Sequence, residues 1–292
     1  MGENGKVNGY SDLNIAVIGN GRWAQNHIRI LKEYGAFLGA YDIETDYKKV
    51  INGSIYGTLP DGVVIATDPV MHFPITEYAM SRKVAVYCEK PIATQTWQLD
   101  ELMKLRKKAI YQAGFQLLYD PKINHYRNDK IKTIISRRLG GNYRNESVVQ
   151  TLMIHDIAVA AYVFGTAKEV IPYLTWGMRS EVNANLQFPD GHTAILHSRY
   201  GLPHFRQMDF IHEKGWIITD AFDNHEQADL LAVSVEDWLT AVRANTNSNR
   251  AYMRFACNVQ QIAFEIDQRI GIKDSVREDR VEHEEKETVK SD

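Results

Sequence analysis

Only two cysteines, Cys88 and Cys257, occur in 292 residues, so no disulfide framework organises this chain. A charge surplus is missing too: the formal net charge of −3 leaves no electrostatic footprint for nucleic acid. No apolar run approaches the length of a membrane span, and the opening Met1 to Lys6 has no apolar signal-peptide core. That segment also misses the myristoylation pattern, because Lys6 stands where Ser or Thr is required. Metal chemistry has little support, since the ten histidines are dispersed and no Cys/His pair has ligand spacing. A serine-hydrolase elbow and a P-loop lysine are equally missing. Asn52-Gly-Ser and Asn145-Glu-Ser match the glycosylation sequon but mean little without a secretory signal. These absences lead us to expect a cytoplasmic protein without metal, membrane or nucleic-acid partner.

What is present begins with an apolar content of 44 %, enough over this length for a substantial core and two domains. The run Ile15 to Ile18 reads as a buried strand, and an amphipathic segment from Trp23 to Tyr34 reads as a helix. Between them stands Gly19-Asn20-Gly21-Arg22-Trp23-Ala24, the strand–glycine turn–helix context of a dinucleotide fingerprint. Gly19 permits the tight turn, Gly21 lets the backbone approach a pyrophosphate, and Ala24 is small enough for close helix–strand packing. The free N–H groups of the helix N-terminus suit the phosphates. A second apolar segment, Ala36 to Tyr41, ends in Asp42, roughly 20 residues on, where a carboxylate suits ribose hydroxyls and repels a 2′-phosphate. NAD is therefore favoured over NADP. The plainer alternative is a glycine turn in an ordinary α/β protein, with Asp42 capping the next helix.

Apolar strands alternate with helical patterns as far as about residue 118, which predicts a doubly wound parallel sheet. Further strands are expected at Val63–Thr67, Val84–Cys88 and Ala113–Leu118, with helices over 72–82 and 95–110. Beyond Pro121 a polar, basic stretch (122–147) leads into Val148–Phe164, apolar enough for a mostly buried helix. The runs 182–188, 193–199, 205–212 and 215–219 alternate between turn signals and read as an antiparallel sheet. Helical pattern from Glu236 to Arg269 breaks around Asn245–Asn249. The expected division is a flexible leader (1–12), a dinucleotide-binding domain (13–118), an α+β substrate and oligomerisation domain (119–272), and a charged tail (273–292) that is disordered or a solvated helix.

Two segments look chemical. Cys88-Glu89-Lys90-Pro91 follows a strand whose carboxyl end faces the ligand crevice of such a sheet, so Lys90 is placed beside the nicotinamide. A lysine there favours a developing alkoxide. It is equally readable as an exposed lysine in a turn. His155 sits on the apolar helix with Thr151 one turn earlier on the same face. Histidine is the usual proton acceptor when an alcohol is oxidised near neutral pH. A core histidine partnered by Asp156 is the competing reading.

Taken in order, "AVIGNGRWAQNHIRIL" (16–31), "VVIATDPVMHFPI" (63–75), "VYCEKPIAT" (86–94), "LMIHDIAVAAYVFG" (152–165), "FPDGHTAILHSRY" (188–200) and "EKGWIITD" (213–220) resemble the glucose–fructose oxidoreductase/inositol dehydrogenase/MocA family, Gfo/Idh/MocA. The resemblance implies an α/β Rossmann domain followed by an α+β domain with an open, mostly antiparallel sheet. It implies hydride transfer between NAD(P) and a sugar or cyclitol hydroxyl, with Lys90 and His155 lining the reaction centre. Thr67, Pro69 and His72 match the loop on the nicotinamide side, and Glu89 belongs to the same cofactor-facing set. The "GRWAQNHIRIL" form and the segment from Arg144 look most like members acting at the 3-position of UDP-N-acetyl-hexosamines. Arg137, Arg138 and Arg144 are candidates for diphosphate contacts, against the reading of a solvated basic face. Tyr119 joins Arg144 as a candidate substrate contact. The open sheet leads us to expect a homodimer or homotetramer.

The chain departs from the family pattern. Thr151 stands where the family has an Asp four residues before the histidine, and Ala158 where a second Asp follows it. Thr151 is then the third catalytic candidate, able to hydrogen-bond a hydroxyl but not to carry charge. The connection from Asp42 to Val63 is too short for the full pair of crossover elements, and the 116–147 region is abbreviated. Three readings follow: an enzyme with atypical chemistry or substrate, an NAD-binding sensor that has lost turnover, or a reductase of another carbonyl ligand, such as an imine or a linear tetrapyrrole.

Overall fold

The computed structural model describes residues 9–42, 44–142, 146–176, 179–221, 227–247 and 250–272. Five short strands, β1 (Ile15–Ile18), β2 (Phe37–Tyr41), β3 (Gly62–Ile65), β4 (Ala85–Cys88) and β5 (Tyr111–Ala113), form a parallel sheet in the order β2-β1-β3-β4-β5. β1, β3 and β4 are buried on both faces, which is why they read as unbroken apolar runs. Helices α1 (Ala24–Tyr34), α2 (Tyr47–Ile51), α3 (Pro69–Ser81) and α4 (Thr96–Leu105) connect them. The crossover after Asp42 is pruned to the five residues of α2, and its cap is Asp46, which accepts from the Lys48 N–H at 2.9 Å. Asp42 is thereby left out of the capping role.

The strand expected over 113–118 is corrected. Pairing with β4 stops at Ala113, and Gln116–Tyr119 forms a 3-10 turn. A short buried apolar run does not distinguish strand from helical turn by periodicity. The basic stretch after Pro121 is also more ordered than its composition suggests. It contains α5 (Pro121–Asn128), capped by Asp120, and β6 (Ile131–Leu139).

β6 lies inside a second, six-stranded sheet with β7 (Glu169–Trp176), β8 (Glu181–Gln187), β9 (Thr193–Arg199), β10 (Phe205–His212) and β11 (Ile217–Ala221), in the order β11-β10-β6-β9-β8-β7. All pairs are antiparallel except β6–β9. α6 (Ile154–Phe164) and α8 (Met253–Arg269) contribute to a continuous apolar core joining this sheet to one face of the first. The other face of the first sheet is covered by α1 and by α7 (Gln227–Ala244), which returns from far down the chain. α7 starts well before the expected Glu236. Its Trp238 is fully buried against β3, where a Cβ on Gly62 would lie 2.8 Å from the indole. Ser234, on the same helix, meets Tyr87 Oη at 3.0 Å and accepts from Gln112 Nε2 at its carbonyl, 2.6 Å away.

Candidate active site

Register builds the site. Ile18 lies opposite both Tyr41 and Ile65, Ile65 opposite Cys88, and Cys88 opposite Ala113. Gly19, Asp42, Ala66 and Glu89 therefore leave the sheet along one edge, at the carboxyl ends of the strands. β1 and β3 flank the point where strand order reverses, the usual place for a ligand crevice in such sheets.

Gly19 has φ +113°, and a Cβ there would sit 2.3 Å from the Ala66 carbonyl oxygen, so only glycine fits. A Cβ on Gly21 would meet nothing within 4 Å: the loop opens on empty space. No side chain caps the N-terminus of α1, and no acidic residue occupies its first turn. Gln25 ties the loop down, donating to Asn20 Oδ1 at 2.8 Å. An open cradle, uncapped N–H groups and Asp42, exposed at the end of β2, fit a dinucleotide.

Beyond this loop a cavity of about 530 Å³ runs between the two sheets, bordered by Arg22, Trp23, Thr67, Pro69 and His72 on one side. Glu89, Lys90, Thr151 and His155 line it as well. His72 is buried, with Nδ1 2.7 Å from the Pro91 carbonyl and Nε2 3.1 Å from the Thr67 carbonyl. It pins together the loops after β3 and β4. Glu89 is buried and meets His27 Nε2 at 2.8 Å. Burial opposes its ionisation, but the His27 hydrogen bond and charge, a hydrogen bond from Trp23 and the charge of Lys90 hold its carboxyl below the usual range. The Lys90–Pro91 peptide is cis.

Lys90 Nζ donates to the Thr151 carbonyl at 2.9 Å. That carbonyl is presented by a π-helical turn, Val149–Met153, which precedes α6. Thr151 Oγ1 is occupied within the protein, donating to the Ser147 carbonyl at 3.1 Å and bonding the Tyr200 hydroxyl. His155 stands on α6 with its Nδ1 enclosed and without a hydrogen-bond partner among the described residues. Burial, then the charges of Lys90, Arg138 and Arg206, hold its imidazole well below the usual histidine value, so it is neutral at neutral pH.

Asp156 does not partner His155. It accepts three hydrogen bonds from Arg138, at 3.0, 3.0 and 2.6 Å, in an ion pair buried on both sides. The basic stretch therefore splits: Arg137 is exposed, whereas Arg138 reaches the cavity wall. Arg144 lies outside the described residues. Tyr119 is corrected as a cavity group. It is buried, and its hydroxyl donates to Asp237 on α7 at 2.8 Å. Sequence reasoning missed Arg206, although alternation with the buried Met208, Phe210 and His212 of β10 already points it inward. A cation on a buried strand face was the available signal.

A buried chain of hydrogen bonds supports the Lys90–Thr151 contact. The Ile92 N–H donates to Gln260 Oε1, Gln260 Nε2 to Gln150 Oε1, and Gln150 Nε2 to Asp267 Oδ2, at 3.1, 2.5 and 2.8 Å. Ser147 donates to the other Asp267 oxygen at 2.6 Å. Burial pushes the Asp267 carboxyl up from 3.8 to about 6, against its hydrogen bonds and Arg179. A raised acid favours the folded state most below its unfolded value. This contribution, on the order of 3 kcal/mol, is lost as pH rises through about 6. Asp267→Asn is expected to flatten this part of the stability profile; denaturant midpoints of the two proteins across that range check it.

Residues 39–115 match the family described as oxidoreductases with an NAD-binding Rossmann fold, Gfo/Idh/MocA. Over that stretch the chain is similar to this family. Inositol 2-dehydrogenase of Corynebacterium glutamicum is 27 % identical over 216 residues, 64 % of this chain and 60 % of that protein. The match thus spans less than two thirds of the relative. In fold, the chain is similar to UDP-N-acetylglucosamine 3-dehydrogenase from Acidithiobacillus ferrooxidans, with TM-score 0.73 and 19 % identity over 88 % of this chain and 97 % of that one. It is also similar to scyllo-inositol dehydrogenase from Lactobacillus casei with bound NAD(H) and scyllo-inositol, with TM-score 0.69 and 14 % identity over 88 % and 96 %. A Rossmann-like parallel sheet joined to a mixed, mostly antiparallel one is the architecture the chain shares with these solved dehydrogenases.

Proposed function

We propose that the protein is an NAD-dependent oxidoreductase acting between a hydroxyl and a keto group of a sugar or nucleotide sugar, with Lys90 and His155 at the reaction centre. The observation that carries this reading is a neutral, enclosed histidine and an anchored lysine sharing one cavity with an open glycine cradle. NAD, when bound, supplies the hydride acceptor. His155 takes the hydroxyl proton and becomes imidazolium. The Lys90 ammonium, aimed by the Thr151 carbonyl, stabilises negative charge developing on the oxygen. Thr151 acts through its backbone, because its hydroxyl is spent on Ser147 and Tyr200.

That spent hydroxyl also favours the second reading, an NAD-binding sensor without turnover. Absorbance of reduced nicotinamide with myo-inositol and with UDP-N-acetylglucosamine separates the two: signal with either supports the enzyme, and cofactor binding without signal across sugars supports the sensor. Asp42→Ala is expected to weaken NAD binding roughly 10-fold or more and to relax discrimination against NADP. Unchanged relative affinities would contradict the ribose assignment. The face of the second sheet bearing Ile195, exposed, and Ile135, half-buried, is the surface we propose for pairing with a second copy. The cytoplasm is the proposed compartment.

A further inference from the structure

β6 and β10 set two arginines directly opposite one another, Arg138 and Arg206. Both line the cavity. Like charges in opposed positions of an antiparallel pair repel, so some other interaction must justify keeping both. Asp156 cannot serve the two equally, because Arg138 already occupies both of its oxygens. Arg206 is left with Nη1 enclosed and without a partner among the described residues. Its guanidinium is lowered to about 10, by burial first and then by Arg138, with Asp156 opposing. It is therefore still charged at neutral pH. Glu89 does not relieve it, being engaged by His27, and among the described residues Asp156 is the carboxylate with an influence on Arg206. A buried donor carrying charge and lacking an acceptor costs free energy that a bound anion recovers.

We infer that the substrate carries an oxyanion, a carboxylate or a phosphoryl group, and that the Arg206 guanidinium receives it at the cavity wall. This rests on the oxidoreductase reading for the placement of the reacting hydroxyl beside Lys90 and His155. An anion at Arg206 has a second consequence. Arg206, with Lys90 and Arg138, is one of the charges that keep His155 neutral. Cancelling it raises the imidazole's proton affinity when the group must accept a proton. Substrate charge and base strength are thus linked through one side chain.

The test compares D-glucose, D-glucuronate and D-glucose 6-phosphate on the full chain, with and without NADH. Binding is followed by calorimetry, and His155 by NMR of 15N-histidine-labelled protein. The expected result is that at least one anionic sugar binds about tenfold or more tighter than glucose and moves the His155 titration to higher pH. Glucuronate alone identifies a carboxylate, the 6-phosphate alone a phosphoryl group. Arg206→Gln removes the advantage with NADH affinity unchanged, and Arg206→Lys keeps part of it. The proposal is overturned if neither anion outbinds glucose or moves His155, or if Arg206→Gln retains both effects. Failure of NADH to bind would instead overturn the oxidoreductase reading, and the arms without NADH still decide the anion site.

Discussion

His155→Ala lowers turnover by roughly 10²- to 10⁴-fold, the usual loss on removing a general acid–base, while NADH affinity stays within about twofold of the original. The expectation follows from where the imidazole sits. It faces the cavity from α6, an element separate from the glycine turn and α1 that would hold the dinucleotide, so cofactor contacts are expected to survive its removal. Its environment also fixes the pH behaviour. Burial, Lys90, Arg138 and Arg206 depress its proton affinity, so the base remains unprotonated below the ordinary histidine value. Alcohol oxidation in the parent protein is expected to persist below pH 6.5 without the usual histidine limb. Steady-state rates across pH, with NADH binding measured on both proteins, check both statements. Undiminished turnover in the alanine variant sinks the assignment.

Asp156→Ala carries the largest expected stability loss, about 3–5 kcal/mol. Arg138 is 3 % exposed and Asp156 fully buried, so truncating the carboxylate strands an unpaired guanidinium between β6 and α6. The loss is set by that stranded charge, more than by the net worth of the pair. Arg138→Met combined with Asp156→Leu removes both charges and is expected to recover most of the stability, because an apolar replacement of similar volume avoids both desolvation costs. Urea unfolding of the single and double variants reads this directly. An equal loss in both would mean that packing volume, and not the unpaired charge, governs the site.

The first sheet was legible because each strand is an apolar run that stops at a chemically distinct residue. Ile18 gives way to Gly19, Tyr41 to Asp42, and Cys88 to Glu89 and Lys90. Register then does the rest, since aligned strand ends bring together residues far apart in sequence. β6 was hidden because Ser136 and Arg138 occupy inward positions where apolar residues are expected. α7 was misjudged because a helix's periodicity does not reveal which sheet it covers, and this one returns to the first. At the site, Gly19 makes the turn after β1, and Lys90 and His155 line one cavity. Thr151 could be marked from the sequence, but not its use of a carbonyl in a π turn to hold Lys90. Tyr119 misled because an aromatic hydroxyl near a strand end looks like a ligand contact, whereas Asp237 claims it from a helix 118 residues away in sequence. Arg138 and Arg137 show that neighbours in a strand share composition but not a face.

Isothermal titration of NADH into the purified chain tests the central claim most directly. The open cradle after Gly19 predicts saturable binding of one NADH per chain, weakened in Asp42→Ala and preserved in His155→Ala. No binding to the parent protein would contradict the reading of the glycine loop, and with it the hydride chemistry assigned to Lys90 and His155.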